Sequence, residues 1–257
     1  MARIIAIVNQ KGGVGKTATA VNLAAALAAA ERRVLLLDCD PQGNASTGFG
    51  LRKGGPHPSL YHFLLGRHPL EQVVRTVISP WLQVIPSSPD LSGAEIELVT
   101  ATAREGWLRK RLQGIGDAYE FVLLDCPPSL GLLTVNGLVA AHAVLVPLQC
   151  EFYALEGMSQ LLHTLDVVRR GLNPGLELGG ILLTMFDATI PGQVQIAREV
   201  RQHLGGKVFE TVIPRHTAVN EAPSFGKPVV WYDLQSAGAQ AYLRLAREVL
   251  TREDGGP

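Results

Sequence analysis

The chain has 257 residues, and its 23 Lys+Arg balance 23 Asp+Glu, so no global field marks it as a binder of nucleic acid or membrane surfaces; such binding has to come from a local patch. Apolar residues make up 47% and charged residues 18%, ample for a packed core, and the length fits one large α/β domain over residues 1–257. Three cysteines, Cys39, Cys126 and Cys150, are an odd number without C-x-x-C spacing, which argues against a disulfide framework or a zinc site.

In chain order, Met1-Ala2-Arg3 leads straight into an apolar run at 4–8, without the basic, apolar and cleavage regions of a leader. No later stretch is apolar for long enough to span a bilayer, so a cytoplasmic protein is expected. Next comes Lys11-Gly12-Gly13-Val14-Gly15-Lys16-Thr17, then an Ala/Leu-rich helical stretch at 18–30. A second apolar run, 34–38, opens into Cys39-Asp40-Pro41-Gln42-Gly43-Asn44, and residues 52–58 read as a surface loop. Further runs at 82–86, 121–125, 143–147, 180–184 and 208–213 alternate with helical patterns at 104–112, 154–170, 194–204 and 237–250. The tail at 252–257 is polar and expected to fray.

The apolar runs are continuous rather than alternating, as parallel strands covered on both faces require. They predict a doubly wound, mostly parallel α/β sheet with helices on both faces and ligands at the carboxyl ends of the strands. Two of those ends carry carboxylates: Asp38 and Asp40 on one, Asp125 before Cys126-Pro127-Pro128-Ser129 on another.

Residues 11–17 lie between a strand and a helix, where a phosphate-binding loop belongs. The glycines let backbone N–H groups turn inward onto phosphate oxygens, and the helix N-terminus adds partial positive charge. Lys16 then reaches the β- and γ-phosphates of a nucleotide, and Thr17 offers its hydroxyl to Mg²⁺. Asp125, closing Phe-Val-Leu-Leu-Asp, suits the Mg²⁺-side aspartate of such enzymes; its plain alternative is a turn cap. Asp38 and Asp40 flank Cys39, and strand alternation turns them to one side. One can support Mg²⁺ while the other orients the attacking water, Asp40 being better placed for the water; a turn initiator before Pro41 is the alternative. Lys11 is an extra cation: either a solvated lysine or a residue that completes the site of a facing subunit, as an arginine finger does.

Asn9-Gln10-Lys11-Gly12-Gly13-Val14-Gly15-Lys16-Thr17 resembles the deviant Walker A loop of the ParA/Soj partition ATPases, within the group that includes MinD and the nitrogenase iron protein. The resemblance continues through Asp38 to Asn44, Gly93 to Leu98, Asp125 to Gly131, Gln149 to Gly157, Ile213-Pro214-Arg215, Glu221 to Ser224 and Gly226-Lys227-Pro228, and so covers nearly the whole chain, in the manner of the short chromosomal branch. It implies that Lys11 crosses an ATP-bound homodimer to the partner's phosphates. Gly12, Gly13, Val14, Gly15, Lys16, Thr17 and Ala18 would form the nucleotide loop, with Pro214 and Arg215 near the adenine. Asp40 would be needed for hydrolysis, and Asp38 and Asp125 would serve Mg²⁺, through water or directly. The implied cycle is ATP binding, dimerisation, nonspecific DNA binding, and slow hydrolysis stimulated by a ParB-like centromere-binding partner.

Departures from the family pattern bear on DNA. Ala18 replaces a second threonine, leaving Thr17 intact, whereas Thr189 and Ala218 stand where relatives carry DNA-binding arginines. Fewer cations mean weaker, less salt-sensitive phosphate binding, unless Arg198, Arg201, His203 and Lys207, with Arg215 and His216 nearby in sequence, compensate. Those residues also read as a solvated helix face. Three alternatives follow: a cargo-positioning relative with weak or no DNA binding; a MinD-like membrane switch, disfavoured by a mixed C-terminus without aromatics; and an iron–sulfur reductase, disfavoured by cysteines beside the nucleotide motifs. The same cysteines, close at the carboxyl edge, could also act as a redox sensor, against the default of small buried apolar residues.

Overall fold

In the computed structural model, which describes residues 2–52, 57–99, 101–151 and 154–253, eight strands form one sheet. They are β1 (Arg3–Ile7), β2 (Val34–Asp38), β3 (Arg75–Ile78), β4 (Leu82–Ile85), β5 (Phe121–Asp125), β6 (Ala143–Gln149), β7 (Glu177–Phe186) and β8 (Val208–Pro214), in the spatial order β3-β4-β2-β5-β1-β6-β7-β8. Every pairing is parallel except β3 with β4. β1 lies between β5 and β6, so the loop that leaves it opens where connections diverge to either side, the crevice in which α/β sheets bind ligands.

Both faces of the sheet are covered, and neighbouring strand residues divide between two cores. Ile4, Ala6 and Val8, Leu35 and Leu37, and Val122 and Leu124 enter one; Ile5 and Ile7, Val34 and Leu36, and Phe121 and Leu123 enter the other. That explains why the strands read as unbroken apolar runs: the two-residue period is present, but both sides need apolar groups.

The helix Lys16–Ala29 is buried nearly all round, lying under the helix Ala237–Glu253. Its alanines lack bulk, which lets the two helices and the sheet approach closely. On the opposite face lie the helices Leu132–Ala140 and Ala154–Gly171, whose buried side chains join the first core.

The predicted runs all form strands, with ends moved by up to three residues. Several elements were not anticipated, mostly short helices, and two of the others have a clear physical reason. β3 is short, half-exposed and antiparallel, an edge strand without a continuous apolar run. Leu132–Ala140 is too uniformly apolar to show helical periodicity. One expectation is corrected: Arg252 does not fray. The last helix extends through it, and its guanidinium donates to the carbonyls of Gly179 (3.3 Å) and Val208 (3.1 Å) and covers the Phe209 ring at 4.1 Å. The rest of the predicted tail, 254–257, and residues 53–56 of the predicted loop lie outside the described residues.

Candidate nucleotide site

The loop after β1 turns through two left-handed glycines, Gly13 (φ +75°) and Gly15 (φ +86°), the latter being the N-cap of the helix Lys16–Ala29. A Cβ at Gly12 or Gly13 would meet nothing within 4 Å, so what bars a side chain at Gly13 is the backbone conformation, not crowding by the protein. The loop is tied down from two strands: the Thr184 hydroxyl of β7 donates to the Val14 carbonyl at 2.8 Å, and Asn9 Nδ2 donates to the Pro147 carbonyl of β6 at 2.7 Å. The result is an open cradle of backbone N–H groups on a rigid frame.

Over it lies a cavity of about 450 Å³ lined by Gly12, Gly13, Gly15, Lys16, Thr17, Ala18, Asp40, Gln42, Asn44, Pro128, Thr184, Met185, Ile213, Pro214, Arg215, His216, Val219, Asn220 and Tyr242. Among described residues Met185 is one of three non-glycines with positive φ (+48°), a conformation that costs energy and gathers at ligand sites. Pro214 and Arg215 lie at the end of β8, beyond the phosphate loop, and the Arg215 backbone N–H donates to the Phe186 carbonyl at 3.2 Å. Val14 is buried behind the cradle and Lys11 stands exposed outside the cavity lining.

Lys16 is buried, and its ammonium donates to the Lys11 carbonyl at 3.0 Å. Burial lowers its pKa, opposed by the charges of Asp125 and Asp40. Asp38 and Asp125 are paired in register at the ends of adjacent strands and both have 0% exposure, but their bonding differs. Asp38 Oδ2 accepts from the Ser46 backbone N–H at 2.7 Å and from its hydroxyl at 2.6 Å, while Oδ1 accepts from the Asp40 N–H at 3.3 Å. Burial still raises the Asp38 pKa to about 6. Neither carboxylate oxygen of Asp125 has a partner of good hydrogen-bond geometry. Burial, then the Asp38 charge, push its pKa far up, with the neighbouring Thr17 hydroxyl pulling the other way.

A buried carboxylate with free lone pairs, beside a hydroxyl and an ammonium, is expensive unless a cation satisfies it. These residues fit Mg²⁺, with Asp125 and Thr17 nearest the role and Asp38 held back by Ser46. Asp40 is half-buried on the cavity wall: β2 ends at Asp38, and the chain turns there, with Asp40 Oδ1 accepting from the Gln42 N–H at 2.9 Å and its carbonyl accepting from the Gly43 N–H at 2.8 Å. So a turn, rather than strand alternation, aims Asp40.

Thr184, Asn220 and Met185 escaped sequence reasoning because each comes from a distant segment, and Ser46 escaped it although it lies close to Asp38 in the chain. Ser46 alone had a local signal, a small hydroxyl residue eight positions after a strand-end aspartate. Of the expected cysteine cluster, Cys39 and Cys126 interact through their thiols, whereas burial pushes the Cys150 thiol pKa up to about 11, with the Arg201 charge pulling the other way; all three are buried and free. The residues proposed to compensate for lost cations sit in different settings. Arg198, His203 and Lys207 are exposed; Arg201 donates to the Glu210 carbonyl at 3.3 Å; Arg215 and His216 belong to the nucleotide cavity. Thr189 donates from its hydroxyl (2.6 Å) and N–H (2.9 Å) to Asp187, and Ala218 is buried.

A parallel sheet with a glycine cradle at the carboxyl end of its central strand, a buried lysine and an unsatisfied strand-end aspartate define a P-loop nucleotide-binding protein. The family model described as AAA domain matches residues 2–178. The chromosome partitioning protein ParA of Caulobacter vibrioides (strain NA1000 / CB15N) is 54% identical over 253 residues, covering 98% of this chain and 95% of that protein. The sporulation initiation inhibitor protein Soj of Bacillus subtilis is 49% identical over 249 residues, covering 97% and 98%. Among solved structures, a cobyrinic acid a,c-diamide synthase from Mycobacterium smegmatis with bound ADP and magnesium superposes with a TM-score of 0.87 at 35% identity, covering 100% of this chain and 97% of that one. The chain belongs to the ParA/Soj family of chromosome-partitioning ATPases.

Proposed function

We propose that this protein is a dimerising ATPase switch for chromosome or plasmid partitioning. It closes into a homodimer with ATP bound, holds DNA without sequence preference as that dimer, and reopens on slow hydrolysis stimulated by a ParB-like partner. It acts in the cytoplasm, on the nucleoid; among the described residues no helix is long and apolar enough to cross a membrane. One observation carries the reading: the two lysines of a single loop are segregated. Lys16 is buried in the lining of its own cavity, while Lys11 stands exposed outside it.

Lys16 gives up the Lys11 carbonyl for β- and γ-phosphate oxygens, an exchange of a neutral acceptor for a charged one. Thr17 and Asp125 hold Mg²⁺, which when bound neutralises charge on the phosphates. Asp40, on the cavity wall and tethered by a turn, orients the attacking water. Pro214 and Arg215 bracket the base, and Lys11 serves the partner's nucleotide.

The test is an electrophoretic mobility assay with nonspecific duplex DNA across a salt series, with and without ATP. Retardation that needs ATP and fades above moderate salt is expected. Equal retardation without nucleotide overturns the switch. A cargo other than DNA is the second reading, favoured by a Thr189 engaged with Asp187 and a buried Ala218. It predicts ATP-dependent dimers with no DNA retardation even at low salt.

A further inference from the structure

The Lys11 ammonium, though outside its own cavity, forms an ion pair with the Glu151 carboxylate of the same subunit. We infer that Glu151 is a positioning residue for Lys11: it holds the ammonium on its own subunit, and opening of this pair is a step in dimer closure. The inference rests on the trans role of Lys11 proposed above.

The architecture sets the two side chains opposite each other. Buried Asn9 donates to the Pro147 carbonyl of β6 and accepts the Lys11 backbone N–H at 3.0 Å, so one side chain clamps the first turn of the loop to β6. β6 ends at Gln149, and the chain then turns tightly: the Glu151 N–H donates to the Gln149 carbonyl at 2.9 Å, and the Glu151 carbonyl accepts from the Ala154 N–H at 2.8 Å. Both partners therefore spring from fixed backbone. Among the described residues, Glu151 is the one carboxylate within ion-pair distance of Lys11.

The pair is also releasable. The Lys11 and Glu151 side chains are 50% and 45% exposed, and pairs that open to water hold weakly. On closure the ammonium exchanges one carboxylate for the more highly charged phosphates of the partner's ATP, so the exchange runs forward only when nucleotide is present. Two such pairs open per dimer. Their cost adds to the threshold for closing and discourages dimers in which a lysine has no triphosphate to receive it.

The experiment is sedimentation of the full chain with a non-hydrolysable ATP analogue and Mg²⁺ over a concentration series, for wild type, Glu151→Gln, Glu151→Asp, Lys11→Ala and the Lys11→Ala/Glu151→Gln double variant. Glu151→Gln is expected to lower the dimer dissociation constant by about threefold to tenfold, with Glu151→Asp in between. The gain should vanish in the Lys11→Ala background, which a merely structural role for Glu151 would not do. Analogue affinity of the dilute monomer should stay within about twofold of wild type, because Glu151 does not line the cavity. Unchanged or weaker dimerisation of Glu151→Gln, with Lys11→Ala still impaired, overturns the inference and leaves the trans role standing. Wild-type dimerisation by Lys11→Ala overturns both.

Discussion

Asp38 and Asp125 sit side by side at the ends of neighbouring strands, both removed from water, a cost to the fold that a cation beside Asp125 would offset. Asp38 has a folded pKa of about 6 against an ordinary 3.8. Between those values the native state binds more protons than the unfolded chain, so stability falls as pH rises from about 4 to 6, and the loss is complete above that window. Asp125 is shifted in the same direction and has no hydrogen-bond compensation of good geometry. Asp125→Asn should therefore raise the melting temperature of the nucleotide-free protein by about 2–6 °C near neutral pH, and by less near about pH 4. It should also remove Mg²⁺-dependent nucleotide affinity, so calorimetry with and without Mg²⁺-ADP checks both halves. A melting temperature lowered near neutral pH would mean that the charge is satisfied in a way the geometry does not provide. Asp40 differs, being half-exposed on the cavity wall. Asp40→Ala should abolish phosphate release, to below about a hundredth of the wild-type rate, while ATP-dependent dimers persist. Loss of dimers together with hydrolysis would assign Asp40 to binding rather than to the water.

At the scale of elements, the segment after β2 is where the nucleotide edge and the C-terminal half meet. The short helix Asn44–Gly48 carries Ser46, the partner of Asp38, and is followed by Gly50. Gly50 and Gly226 face each other across two left-handed turns (φ +71° and +62°), and a Cβ at Gly226 would come within 2.6 Å of the Gly50 Cα. Backbone on backbone leaves no flexible side chain to yield. Gly226→Ala should cost about 2–4 kcal/mol, from the strained φ and the overlap together, measured as a lower urea midpoint at unchanged slope. Asn22 adds a second tie between the halves, accepting the Val229 N–H at 2.6 Å from inside the helix Lys16–Ala29. The phosphate-loop helix, the segment holding Asp38 and the C-terminal helices thus share one packed unit.

For the whole molecule, the balance of charges puts the burden of any DNA contact on a few exposed cations. Arg198, His203 and Lys207 are available, Thr189 is exposed, and Ala218 is buried, so the two missing family arginines are not equivalent. Thr189→Arg should be tolerated and should strengthen DNA binding in the ATP state, adding about one unit to the slope of log affinity against log salt. Ala218→Arg should instead destabilise the fold, because a guanidinium would have to leave a packed site beside the helix Ala237–Glu253. Titration of labelled duplex at several salt concentrations tests the first, and thermal melting the second. An unchanged salt slope for Thr189→Arg would place the DNA surface away from the loop after β7.

By itself, the sequence determined the sheet and the phosphate loop. Both depend on local pattern: unbroken apolar runs mark strands buried on two faces, and Lys11 to Thr17 between a strand and a helix can do little else. The local pattern also delivered Asp38, Asp40 and Asp125 to the correct edge. It did not reveal β3, whose edge position relaxes the need for apolar residues, nor Leu132–Ala140, whose burial erases helical periodicity. Tertiary structure alone decided the bonding of the aspartates. Ser46 satisfies Asp38, because that strand end meets the short helix Asn44–Gly48, whereas no donor of good geometry reaches Asp125. It likewise decided that Lys11 faces Glu151, 140 positions away, since β1 and β6 are neighbours in the sheet though far apart in the chain. Hydrogen bonds and charge act through space over a few ångströms, whereas sequence pattern reports only on near neighbours along the chain.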